Sequence, residues 1–176
     1  MKCIHEAAAR TLTWKLMKDA YELRTGANLF ATLRWQKGSL FLGEAAEGRW
    51  TFKRMGFLRP KVTVRSENSS TDLATLAFSG SGGRLEFPDD RTYLWTASRA
   101  EWSLKDAAGE LLVQMKSMGT PGNLSGEVVL APGALGLPDL SFLILLSWYV
   151  LVLQSKDVAE GEALMVGALV GVFAGG

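Results

Sequence analysis

The stretch whose reading decides the fold is "LSFLILLSWYVLVLQ", residues 140–154. It carries no charge, and only Ser141 and Ser147 interrupt it before Gln154. Read as a helix, it is preceded by Pro138, which fits a first turn, and by Asp139, which complements the positive helix end. Asp139, Ser147 and Gln154 then fall on one narrow stripe, and the rest of the wheel is apolar. A helix apolar on nearly every side must be enclosed, either by lipid or by protein. Residues 140–153 would span about 21 Å at 1.5 Å per residue, short of the roughly 30 Å of a bilayer core. Starting the span at Ala134 would make it long enough. It would also put Pro138 and Asp139 in hydrocarbon, at a cost of roughly a few kcal/mol. The enclosure is therefore sought upstream.

There the period is two. "TLTWKL" (11–16) sets Leu12, Trp14 and Leu16 against Thr11, Thr13 and Lys15. "RWTFKR" (49–54), "KVTVR" (61–65), "RTYLWTA" (91–97) and "EWSLKD" (101–106) alternate in the same way. This is the pattern of strands with one buried face. Gly-, Asn-, Asp- and Pro-bearing segments at 24–28, 36–39, 46–49, 66–70, 79–83, 87–91 and 105–110 supply turns every 8–12 residues. The expectation is a mainly β domain, an antiparallel sandwich or barrel of roughly ten to twelve strands. "LFATLRW" (29–35) is echoed by "DLATLAF" (72–78), and the same offset carries Trp50 to Tyr93 and Phe52 to Trp95. Recurrent hairpin chemistry and two related sheet halves both account for the echo. A barrel of about twelve strands has room inside for more than side chains, so a helix threaded through it would bury all its faces at once.

Length and composition agree with a single domain. The chain has 176 residues, 48% hydrophobic and 21% charged, with net charge +1. That balance excludes a disordered chain and a generally basic nucleic-acid binder, so no nucleic-acid partner is expected. Cys3 is the one cysteine and His5 the one histidine, which excludes an internal disulfide and argues against a zinc site. The N-terminal residues lack the apolar run of a secretory signal. A cytoplasmic location follows as the expectation, with the N-terminus carrying Cys3 and His5 frayed. Enzyme motifs are missing: "SGSGG" is neither a P-loop nor a dinucleotide fingerprint, there is no G-x-S-x-G, and Asp89-Asp90 reads as turn chemistry. No catalytic residue, metal or cofactor is expected.

Twelve or so short Trp- and Tyr-rich strands followed by one very hydrophobic helix resemble the tubby, LURP-one and phospholipid-scramblase superfamily. The resemblance covers about residues 11–154. It rests on element order, on "YELRTGANLFATLRW", on the W-x-[FL]-K hairpins at Trp50 and Trp102, and on "PDLSFLILLSWYVLVLQ". It implies a closed antiparallel β-barrel around a central C-terminal helix near 139–154, within a domain of residues 1–157. The Pro-rich segment and Cys cluster of eukaryotic scramblases are missing, as is an acidic Ca²⁺ loop beside the helix.

Two segments raise the question of membranes again. "RWTFKRMGFLRPKVTVR" (49–65) has six basic and no acidic residues, around the apolar loop residues Met55, Phe57 and Leu58. Lys53, Arg54, Arg59, Lys61 and Arg65 are the candidate lipid-headgroup residues, at about 1 kcal/mol per cation near an anionic surface. Tubby-type domains bind phosphoinositides through a cationic surface, so the resemblance points the same way. A solvated sheet face with distant carboxylate partners is the plainer alternative. The tail, 158–176, carries Gly167, Gly171 and Gly175 at four-residue spacing. Such spacing suits close packing against the barrel, a protein partner or a second copy of the chain, or a helix in a bilayer. Two readings follow: a non-enzymatic lipid- or protein-interacting module peripheral at the membrane, or a protein anchored by a helical hairpin of 140–153 and 163–175.

Overall fold

The structure, a computed structural model, describes residues 1–7, 11–56, 60–79, 81–98, 101–120 and 122–159. The first strands are β1 (Thr11–Met17), β2 (Ala20–Thr25), β3 (Asn28–Lys37) and β4 (Leu40–Ala45). Next come β5 (Gly48–Met55), β6 (Lys61–Ser66), β7 (Ala74–Ser79) and β8 (Gly82–Glu86). The last four are β9 (Thr92–Ser98), β10 (Glu101–Asp106), β11 (Leu111–Thr120) and β12 (Asn123–Leu130), followed by helix α1 (Leu140–Ala159). Each strand pairs antiparallel with its sequence neighbours, and β1 closes on β12 through Leu12 opposite Val128 and Trp14 opposite Gly126. The twelve strands thus form one closed up-and-down barrel with no free sheet edge. The echoed segments lie on β3 and β7, four places apart around it.

The α1 helix fills the barrel. Leu140–Asp157 is long and apolar enough to cross a membrane, yet 94% of it is buried within the protein. All residues from Leu140 to Ser155 are buried, so the helix has no free face in this region. Trp148 stacks on Trp14 with ring centres 5.4 Å apart and meets the edge of Tyr21 at 5.7 Å. Tyr149 packs against Phe41 and Phe52, and its hydroxyl donates to the Ser39 carbonyl at 2.7 Å. The Asp139 carbonyl accepts from Leu143 N–H at 2.9 Å, starting the helix, while its carboxylate pairs with Arg91. Ser147 hides its hydroxyl by donating to the Leu143 carbonyl at 2.8 Å.

Tryptophans and glycines alternate around the wall. Trp14 lies opposite Gly126, Trp50 opposite Gly43, and Trp95 opposite Gly83. A large ring set beside a residue without a side chain leaves inward room, as small barrels with filled interiors require. The helix uses that room. A Cβ on Gly126 would lie 2.7 Å from the Trp148 ring, and one on Gly43 would lie 3.2 Å from Leu145.

Two expectations need correction. The helix continues beyond Gln154 to Ala159, because partners on the wall hold its charged last turn: Arg54 Nη1 is 2.6 Å from Asp157 Oδ2, and Lys156 Nζ stands 5.0 Å above the Trp35 ring. The N-terminus is not frayed. Ile4–Glu6 form a 3-10 turn with Ile4 fully buried, Lys2 N–H donates to the Leu29 carbonyl, and His5 Nδ1 meets the Leu135 carbonyl at 2.7 Å. The buried Ile4 side chain and these bonds hold the segment against the barrel. The glycine-spaced part of the tail, including 163–175, lies outside the described residues.

Candidate functional site

Odd-numbered strands run toward the end of the barrel where α1 finishes, the exit end; even-numbered strands run toward the entry end, where α1 begins. This alternation scatters the basic run of 49–65. Lys53 on β5 and Lys61 on β6 are exposed at the exit half, and no ion pair engages them among the described residues. Arg54 shares the inward parity of Phe52, is half-buried, and is taken by Asp157. Arg65 lies toward the entry end, with Nε 2.6 Å from Asp72 Oδ1. Arg59, with Phe57 and Leu58, lies outside the described residues. Of the five candidate headgroup residues, the structure therefore brings together Lys53 and Lys61 and gives Arg54 and Arg65 carboxylate partners.

The register adds two cations that the sequence reading missed. Leu40 on β4 pairs with Lys37 on one side and Lys53 on the other; Lys53 pairs onward with Thr63, and Met55 with Lys61. Lys37, Lys53 and Lys61 thus lie along one band of four adjacent strands. Arg34 stands behind them, 3.9 Å from Asp19, an exposed pair of little strength. Residues 29–43 and 48–66 contain no Asp or Glu, so the exit half of β3–β6 carries no carboxylate. Large apolar side chains crown the same end: Met17, Trp35, Met55 and Met118 are all exposed, Trp35 by 51%. A signal for the band did exist in the acid-free run at 29–43, but only strand pairing joins it to Lys53 and Lys61.

The entry end differs. A cleft of about 250 Å³ opens between the 67–73 and 87–91 loops, lined by Asp72, Leu73, Phe87, Asp89 and Arg91 among others. Arg91 is committed within it: Nε is 2.7 Å from Asp89 Oδ2, another nitrogen contacts Asp139, and Cζ lies 4.4 Å above the Phe87 ring. The hydrogen bond from Arg91 holds the Asp89 carboxyl below its ordinary range. No nucleophile–base pair converges on this cleft among its lining residues.

At the same end the buried Ile4 sits between Cys3 and His5, which face Glu47 of the β4–β5 turn. Cys3 Sγ donates to Glu47 Oε1 at 2.8 Å, and the same oxygen accepts Ile4 N–H at 3.0 Å. Burial and then the Glu47 bond push the Cys3 thiol up from its ordinary value. Burial alone would raise Glu47, but hydrogen bonds, led by that from Cys3, outweigh it and hold this carboxyl below its usual range.

In comparison with known proteins, no family model, no curated protein and no solved structure matches the chain.

Proposed function

We propose that the protein is a non-catalytic module that docks on anionic phospholipid surfaces through the exit end of its barrel. The observation that carries this reading is the acid-free band of Lys37, Lys53 and Lys61 beneath exposed Trp35 and Met55. Cations near an anionic leaflet contribute about 1 kcal/mol each, and a Trp at its tip suits the interfacial region. The closed barrel with a helix at its centre supports the likeness to tubby-, LURP-one- and scramblase-type domains at the level of architecture.

The test is flotation with phosphatidylcholine vesicles, with and without phosphatidylserine. Binding should require phosphatidylserine and fall with salt. Reversing three charges in K37E/K53E/K61E removes about 3 kcal/mol of attraction, so affinity should fall about 100-fold or more. Arg65→Glu, on a residue already paired at the other end, should leave binding unchanged. Equal binding to neutral vesicles, or full binding by the triple variant, would sink the proposal.

A further inference from the structure

The entry-end cluster carries a second, independent assignment. Cys3 Sγ, a ring nitrogen of His5 and a carboxylate oxygen of Glu47 all lie within 4.8 Å of one another. Thiolate, imidazole and carboxylate are the donor types that zinc accepts. Around a tetrahedral zinc, with bonds of about 2.0–2.3 Å, such donors stand about 3.3–3.6 Å apart. Shifts of about an ångström in two side chains would bring the three to that spacing.

The surroundings of the cluster point the same way. The Leu135 carbonyl can only accept, so the 2.7 Å contact with His5 Nδ1 puts the ring hydrogen on Nδ1. In the neutral ring, Nε2 is then the nitrogen with a lone pair to offer. Backbone carbonyls fix the tautomer of metal-binding histidines in this way. Glu47 is likewise oriented from behind by Ile4 N–H. The backbone is held independently of any ion: Ile4 is fully buried, and Lys2 is bonded to Leu29. Cys3 and His5 are partly exposed and Glu47 is exposed, so an ion has a path in and a fourth position can be held by water.

We propose that Cys3, His5 and Glu47 bind one zinc-type divalent ion, with an open fourth position. The sequence hid this site because Glu47 stands more than forty residues from its two partners. Binding would cross-link the N-terminal segment to the β4–β5 turn at the entry end, away from the lysine band.

The experiment uses reduced, tag-free full-length protein titrated with Zn²⁺ and, as a spectroscopic stand-in, Co²⁺. One equivalent should bind, with a thiolate-to-cobalt charge-transfer band and a rise in melting temperature. Loss of an orienting partner alone typically weakens metal binding about 10–100-fold, so C3S and H5A should each lose at least about tenfold. E47Q keeps an oxygen for Ile4 N–H and should also weaken binding. Melting of each variant in chelator, compared with wild type in chelator, separates lost metal from lost fold. Absence of the cobalt band in wild type would overturn the proposal and leave the cluster a hydrogen-bonded latch. Zinc affinity unchanged in both C3S and H5A would overturn it as well.

Discussion

Gly43→Ala tests the enclosure of the helix most directly, because the sign of its effect is diagnostic. On an open strand the substitution should stabilise, since a strand glycine costs roughly 0.5–1 kcal/mol relative to alanine. Here the new methyl would meet Phe52 Cε2 at 2.6 Å and both Leu145 methyls at 3.2 Å. Carbon atoms favour about 3.5–4.0 Å, so Phe52 must retreat by roughly 1 Å. It has little freedom to do so, being fully buried with its ring 5.6 Å from that of Tyr149. A clash with a ring backed this closely belongs to the upper part of the about 1–3 kcal/mol cost of overpacking, about 2–3 kcal/mol, leaving a net loss of at least about 1 kcal/mol after the backbone gain. For a domain of this size that lowers Tm by at least about 2 °C. Urea unfolding of G43A, F52L and the double variant should show the midpoint falling at constant slope. The two changes should couple by at least about 0.5 kcal/mol, since F52L relieves the clash. If G43A is neutral or stabilising, the helix does not lie against β4 and the argument fails.

Two further outcomes follow from the same packing. Arg54→Ala takes one cation from a carboxylate that is only 7% exposed, and should cost about 1–3 kcal/mol in urea unfolding. Arg54→Met with Asp157→Asn should recover most of that loss; a single-variant loss under about 1 kcal/mol would mean that the pair is effectively solvated. Burial raises the Tyr149 hydroxyl well above its ordinary range, and Tyr21 and Tyr93 move the same way. A group raised in the folded state contributes stability below its unfolded pKa and loses it as pH rises, so unfolding should become easier above about pH 10. Tyr149→Phe should flatten that alkaline decline, and equal slopes for variant and wild type would contradict the assignment.

Much of the fold was legible because two periodicities meet in one chain. The period-two strands announce an inner face, and a helix apolar all round announces that it needs one. Helix length was less legible: Lys156 and Asp157 look like a helix end until Trp35 and Arg54, more than a hundred residues earlier, are seen beside them. For the basic run, the alternation of Trp50 and Phe52 already placed Arg54 inward, but reading the run as a block of charge obscured this. Arg65 was hidden in the same way: its carboxylate partner, Asp72, lies just beyond the run in the loop after β6. Lys37 joins Lys53 only through Leu40, and Glu47 joins Cys3 and His5 only through the buried Ile4. Such neighbours are made by strand register and by docking of the N-terminal segment, and no local pattern announces them.

Closure by the last strand, with the core helix after it, also constrains how the protein is made. Translation delivers the wall before its filling, so all twelve strands emerge before the helix that their apolar inner faces enclose. The β1 edge can find β12 only when residues 123–130 have left the ribosome. Neighbouring hairpins are local and quick to form, but their reward waits on a contact between opposite ends of the chain. Ribosome-bound chains stopped before about residue 159 should remain protease-sensitive and in need of chaperones, then fold in one late cooperative step.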